Sequence, residues 1–435
     1  MDQVERLADY IENELNTRRE QGCDTWELER KLKLARDSGG EGTVERLRKI
    51  CREIENLEPE ESFSYTEPSE LERIRSARPQ GPRSIGAGVS EEARRQKILG
   101  AWTGRVAGCM LGKPIEGWDR RHIRDVLEVR DAYPLEGYFP PPAEGEREEP
   151  EPEKLRLMRG HVEGGARDDD TDYTVLGLRI LERHGMDFTP RRVAEQWLED
   201  LPFARTYTAE RAAYRNFVNG VWPPQSARER NPFREWIGAQ IRADVWGYVC
   251  PGRPEQAAEL AFRDASISHT RNGIYGEMWV AGMLAAAFVT SNPTQVIRIG
   301  LSEIPRESRL AEAIRNVMRW HEEDRDAERT LDRVLETYGE YSGVHTINNA
   351  AIVAAALLWG DGDFTRSVGL AVMGGLDTDC NGATVGSLVG TMTGEEQIPE
   401  HWKAPLNDRL ETAIAGDAEV SISGLAERTV AVEEG

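Results

Sequence analysis

The sequence predicts an all-α protein: a compact multi-helix domain over residues 91–425, preceded by a helical appendage over 1–90. Three observations carry this. Apolar residues recur at helical spacing in segment after segment, alternating strand patterns are scarce, and most breaks between segments are short. With 435 residues, 39 % of them hydrophobic, the chain can bury a sizeable core.

The first 60 residues place Val4, Leu7, Ile11 and Leu15, then Val44, Leu47, Ile54 and Leu57, on helical faces. DSGGEGT (37–43) divides them, so a two-helix hairpin is expected. PEESFSYTEPSE and ARPQGPRSIGAG are rich in turn-forming residues and read as linkers, which sets the boundary near 90. From Ser90 onward EEARRQKILGAWTGRVAGCMLG reads as one helix and DYTVLGLRILERHG as another. PEQAAELAFRDASI, GEMWVAGMLAAAFV and SRLAEAIRNVMRWHEE follow. FPPPAEGEREEPEPEK (139–154) is an acidic, proline-rich excursion. The runs MWVAGMLAAAFV and AAIVAAALLW are too short to span a bilayer, so buried helices and no membrane partner are expected. Small residues recur within helices at Gly104, Gly108 and Gly112, and at Gly382, Ala383, Gly386 and Gly390. Such spacing lets two helices approach closely.

Bulk charge narrows the function. A net charge of −22 argues against nucleic acid held on a basic surface. Cys23, Cys51, Cys109, Cys250 and Cys380 are scattered, with no CxxC pair, so reduced thiols and a cytoplasmic location are expected. MDQVERLADYIENEL is charged from its second residue, unlike a signal peptide. Nothing in the pattern sets an oligomeric state.

Two acidic stretches stand out: RDDDTDYT (167–174) and DTDCN (377–381). Each follows a glycine pair and precedes an apolar helix, which puts carboxylates at a helix amino terminus where free N–H groups favour them. One Asp serves a cap, but three in a row repel one another unless neutralised. Two clusters of one design therefore point to bound cations. The pattern Asp377-x-Asp379-x-Asn381-Gly382 copies the start of an EF-hand loop, yet its twelfth position is Leu388 rather than the bidentate glutamate calcium needs. Carboxylate and hydroxyl oxygens suit Mg²⁺, Mn²⁺ or Ca²⁺, and no HExxH signals zinc. Five or six acids can hold two ions, which in such pairs lie about 3.5–4 Å apart. A P-loop, a GxSxG elbow and a dinucleotide-binding turn are missing from the sequence.

These residues resemble the ADP-ribosylglycohydrolase family, which includes the dinitrogen-reductase-activating glycohydrolase and the ADP-ribosyl-acceptor hydrolases. GRVAGCMLGKPIEGW (104–118) is similar to the family's opening G-D-x-x-G-x-x-x-E, and DDDT (168–171) to its [ST]-D-D-T. IGAQIRADVWG (237–247) is similar to the N-G-x-x-M-R-x-x-P-x-G loop. SHTRNGIYGEMWVAGMLAAAF, from Ser268, looks like the family's His-bearing helix entry, and GGLDTDCNGATVGSLVG like its closing G-G-D-x-D-[ST] motif. The matches run in the family's order from about residue 94 to 415.

The resemblance implies an all-α fold with a binuclear Mg²⁺ or Mn²⁺ centre that hydrolyses the bond at the anomeric carbon of an ADP-ribosylated or ribosylated substrate. By motif position it implies Asp169, Asp170, Asp377 and Asp379 as metal ligands, with Asp168 and Cys380 at further ligand positions. Glu116 is implied beside the centre, as ligand or acid/base, and Asp170 is a neighbouring candidate for proton transfer. Thr171 supports the ligands. Gly238 and Ala239 belong to the loop facing the distal part of the substrate, and His269 and Tyr275 to the pocket lining. Three departures matter: Cys109 replaces the Asp of the opening motif, Cys380 the Ser or Thr of the closing one, and Ile237 the Asn of the loop. Two alternatives stay open: the same chemistry on a small N-riboside, or a non-catalytic, crystallin-like relative.

Overall fold

The structure is a computed structural model that describes every residue except 1–2, 41, 87, 143–149 and 435. The middle of the proline-rich excursion therefore lies outside the described residues. Among these there are twenty-one α-helices, six short 3₁₀ turns and one two-stranded ribbon, Leu410–Glu411 against Glu419–Val420.

The appendage holds three helices rather than a hairpin: Gln3–Glu20, Trp26–Ser38 and Thr43–Ile54. The extra break falls at Gly22, whose left-handed φ of +84° lets the chain turn, and the Phe63 ring packs where a Cβ would stand. Asp24 Oδ1 then accepts from Trp26 N (3.0 Å) to start the second helix. Ile11, Leu15, Leu32, Leu47 and Ile50 form a core of their own there. The linkers beyond it are docked. Glu67, with a fully buried carboxylate, pairs with Arg309 (2.8 Å) and Arg271 (2.9 Å). The short helix Leu71–Ala77 places Ile74 in the main core.

Two helices form the spine of the domain. Glu91–Gly112 starts at Ser90, whose hydroxyl accepts from Ala93 N (3.2 Å), and runs antiparallel to Thr378–Thr393. Their glycines meet in pairs: Gly100 with Gly390, Gly104 with Gly386, Gly108 with Gly382. A Cβ on Gly108 would stand 1.9 Å from the Gly382 carbonyl oxygen, so these backbones touch only because both sides lack side chains. Around the spine lie Asn272–Ala287, buried along its whole length, and Thr346–Gly360, buried all but Trp359. Helices apolar on every side belong in a core. No described helix is long and apolar enough to cross a membrane.

This spine places the site. Antiparallel packing brings the carboxyl end of the Glu91 helix, with Lys113 and Glu116 just beyond, against the amino end of the Thr378 helix. The helix Asp169–His184 delivers its own amino end to the same place.

Candidate metal centre

Each acidic stretch opens a helix. Asp168 is the extended residue before the Asp169 helix, and its Oδ1 accepts from Asp170 N (2.9 Å). Asp377 precedes the Thr378 helix with no well-formed side-chain cap bond, although its carboxylate lies beside the Cys380 N–H. It is held instead by its backbone. Gly375 and Leu376 both adopt left-handed φ (+77° and +64°). Leu376 N donates to Trp118 O (3.1 Å) and Gly117 N to Leu376 O (2.9 Å). A non-glycine residue in that region is strained, and the paired turns around Glu116 hold it there. On the other side, Gly165 is hydrogen-bonded to the ribbon through Arg409 O and Glu411 N, which fixes the approach to Asp168.

The tips converge. Three groups have ligand atoms within 4.8 Å of one another: Cys109, Asp168 and Asp170; Asp170, Asp379 and Cys380; Glu116, Asp377 and Asp379. Cys380 Sγ donates to Asp170 Oδ2 (3.3 Å), bridging segments 210 residues apart. Asp169, half-buried at the first turn, stands outside the three groups. Asp172 also stays apart, accepting from Arg167 Nε (2.7 Å) and Ala413 N (2.8 Å).

Electrostatics mark the cluster. Burial, then Asp168, push Asp169 and Asp170 well above the usual carboxylate range. Burial, then Asp168 and Glu116, do the same to Asp379. Asp377 is raised chiefly by burial. Glu116 keeps a face open to solvent, yet partial burial and the Asp377 carboxylate push it up to about 7. Asp168 is the exception: burial acts against its charge, but the Lys113 ammonium outweighs that and holds it below the usual range. Such mutual elevation is a shortage of positive charge. Among the described residues no hydrogen-bond donor reaches Asp170 Oδ1 or Asp379 Oδ1, although both atoms are buried, and Arg105 Nη2 stands 3.7 Å from the first. Buried acceptors are rarely left so. Buried carboxylates that converge with so few donors fit a cation, and the carboxylate-rich set fits a hard divalent one.

The remaining expected residues lie further out. Arg242 donates to Glu210 Oε1 (3.0 Å), Gly238 O (3.0 Å) and Ser268 Oγ (3.1 Å), which folds the loop with Gly238 and Ala239 beside His269. His269 shares a hydrogen bond with Ser268 Oγ through Nδ1 (2.8 Å), and its buried Nε2 makes no hydrogen bond among the described residues, with Glu210 Oε1 3.9 Å away. Burial, then Arg242, hold that ring neutral. Tyr275 is not with the acids: its hydroxyl donates to Pro68 O in the linker. A cleft of about 730 Å³ lies between appendage and domain, lined by Arg18, Tyr65, Arg73 and Arg228 among others, and none of its residues belongs to the three acid groups.

Sequence reasoning missed three residues. Arg105, fully buried, donates to Asp170 O (2.6 and 3.1 Å), to Asp244 Oδ2 (2.8 Å) and to Ile241 O, and so ties the Asp169 helix to the 237–247 loop. Lys113 reaches Asp168. Asn349 Oδ1 accepts from Asp377 N (3.2 Å) and Asn381 Nδ2 (2.8 Å). The signal for Arg105 and Asn349 was a polar side chain inside an otherwise apolar helical run.

The sequence model of the ADP-ribosylglycohydrolase family matches residues 90–434. A solved structure described as an ADP-ribosylglycohydrolase-related protein complex is similar at 20 % identity, covering 79 % of this chain and 99 % of that one, with a TM-score of 0.49. No curated protein sequence matches.

Proposed function

Because the chain belongs to the ADP-ribosylglycohydrolase family, a family of hydrolases, we propose that it is a metal-dependent hydrolase of the glycosidic bond at the anomeric carbon of an ADP-ribosyl group. Asp168, Asp170, Asp377, Asp379 and Cys380 border the centre, Asp169 supplies a further carboxylate at its edge, and Mg²⁺ or Mn²⁺, up to two ions, are the expected cofactors. The observation that carries the reading is the convergence of buried carboxylates from distant segments, Asp170 with Asp379, together with an Asp379 Oδ1 that no described donor reaches.

When bound, such ions grip substrate hydroxyls and activate water. The chain's own groups do the rest. Arg105 and Asn349 hold the two helix tips in register, so the carboxylates need no rearrangement to receive charge. Glu116, open to solvent at the rim, can exchange a proton with bulk water while facing Asp377 and Asp379. Neutral His269, beside Gly238 and Ala239, offers a polar edge to the distal part of the substrate.

The test is release of ADP-ribose from an ADP-ribosylated protein in the presence of Mn²⁺. Wild type is expected to release it. Asp379→Ala is expected to be inactive with an unchanged circular dichroism spectrum, and full activity in that variant would refute the assignment.

A further inference from the structure

The three acid groups are not equivalent, and the difference lies in what already engages them. The group of Cys109, Asp168 and Asp170 contains a cation supplied by the chain. Lys113 follows Gly112, where the spine helices are so close that a Cβ would stand 2.2 Å from Thr378 O, and Thr378 Oγ1 donates to Gly112 O (2.9 Å). From this fixed point the Lys113 ammonium pairs with Asp168 Oδ2, while Asp168 Oδ1 accepts from Asp170 N. Both oxygens of a carboxylate only 1 % exposed are thus engaged. That corner is closed.

The corner of Asp170, Asp379 and Cys380 is open. Asp170 is 2 % and Asp379 4 % exposed, and each carries a buried Oδ1 that no described hydrogen-bond donor reaches; Arg105 Nη2 stands 3.7 Å from that of Asp170, whereas Asp379 has no ion-pair partner among the described residues. Its third member is a thiol. Sulfur favours borderline and soft cations over magnesium. The third group, Glu116, Asp377 and Asp379, offers oxygen alone. One carboxylate, Asp379, joins an oxygen corner to a sulfur-bearing one.

We propose that the Asp170–Asp379–Cys380 corner is a thiolate-ligated site for a borderline divalent cation of the Zn²⁺, Co²⁺ or Fe²⁺ class, beside an all-carboxylate corner for Mg²⁺ or Mn²⁺. It rests on the metal reading above and names the ion that one corner takes. On binding, the Cys380 S–H bond breaks, its proton leaves to solvent, and the sulfur lone pair forms the bond to the cation, with no change of oxidation state. The sequence alone argued against zinc because it lacked HExxH; the fold builds a sulfur-bearing corner by another route.

Co²⁺ is the probe, since a thiolate on Co²⁺ gives a sulfur-to-metal charge-transfer band in the near ultraviolet. Wild type titrated with Co²⁺ is expected to show the band, Cys109→Ser to keep it, and Cys380→Ser to lose it while still binding Mn²⁺. Cys380→Thr, which returns an oxygen, serves as a second variant and is also expected to lack the band. Co²⁺ bound to wild type without the band, or a band that survives in the Cys380 variants, overturns the proposal while leaving the metal reading intact. Wild type that binds neither Co²⁺ nor Mn²⁺ overturns both. The wild-type spectrum alone decides the first outcome, so the test survives a variant that fails to fold.

Discussion

Adding one methyl group to the spine tests how the site is built. In Gly108→Ala the new Cβ would lie 1.9 Å from Gly382 O, where ordinary contact begins at 3.4 Å, so the helices must part by up to 3.4 − 1.9 = 1.5 Å or deform. Overpacking of this kind costs about 3 kcal/mol. Alanine's better helix propensity returns about 1 kcal/mol, which leaves a net loss of about 2 kcal/mol. Unfolding entropy near 2.1 cal/mol/K per residue scales to ~0.9 kcal/mol/K over this chain, so Tm falls by about 2 °C. Gly282→Ala is the control. Its Cβ would meet the Gly300 Cα at 3.4 Å and Glu303 Cγ at 3.5 Å, ordinary contacts, so propensity prevails and stability rises by up to about 1 kcal/mol. Differential scanning calorimetry reads both. Because the spine sets the distance between helix tips, Gly108→Ala is also expected to weaken Mn²⁺ binding. Gly108→Ala as stable as Gly282→Ala would refute the close-approach argument.

Other outcomes follow from buried charge. Arg105→Met leaves Asp244 buried without its cation and frees the Asp170 carbonyl. The expected loss is roughly 4 kcal/mol, within the range for breaking a buried pair, and adding Asp244→Asn is expected to recover part of it; no recovery in denaturant melts would contradict the pairing. Glu20 gives a pH dependence. Burial, then Glu235, push it up to about 7. A carboxyl whose folded pKa exceeds its unfolded value favours folding most below the unfolded value, and that advantage is lost as pH rises through about 7. Its neighbour His345, Nε2 at 3.6 Å, is pushed down to about 3 by burial, so between those limits the two meet as neutral groups rather than as an ion pair. Between pH 4.5 and 7 Glu20 should cost the fold about 3 kcal/mol, and Glu20→Gln should flatten that slope; an unchanged slope would remove Glu20 as its cause.

Much of this was legible in the sequence because the physics is local. Helical spacing gave the Glu91, Asp169 and Asn272 helices, and glycine spacing on two segments anticipated the spine, since only small residues permit that approach. Gly-Gly followed by acids placed Asp168 and Asp377 at helix starts. What escaped was non-local. The break at Gly22 depends on Phe63, forty-one residues on, filling the space beside it. The Tyr275 hydroxyl is spent on Pro68 because the linker docks there, which periodicity does not report. Lys113 reads as a solvated charge until the spine presses it against Asp168. Two cysteines read as departures from a ligand pattern, but only their positions show that one sits at a closed corner and the other at an open one.

The most direct test of the account is Mn²⁺ affinity, followed by electron paramagnetic resonance of the free ion, in wild type, Glu116→Gln and Asp377→Asn. These two residues come from separate segments and share one group of ligand atoms. Convergence on shared cations predicts that each substitution alone weakens binding at least tenfold. Wild-type affinity in either variant would contradict it.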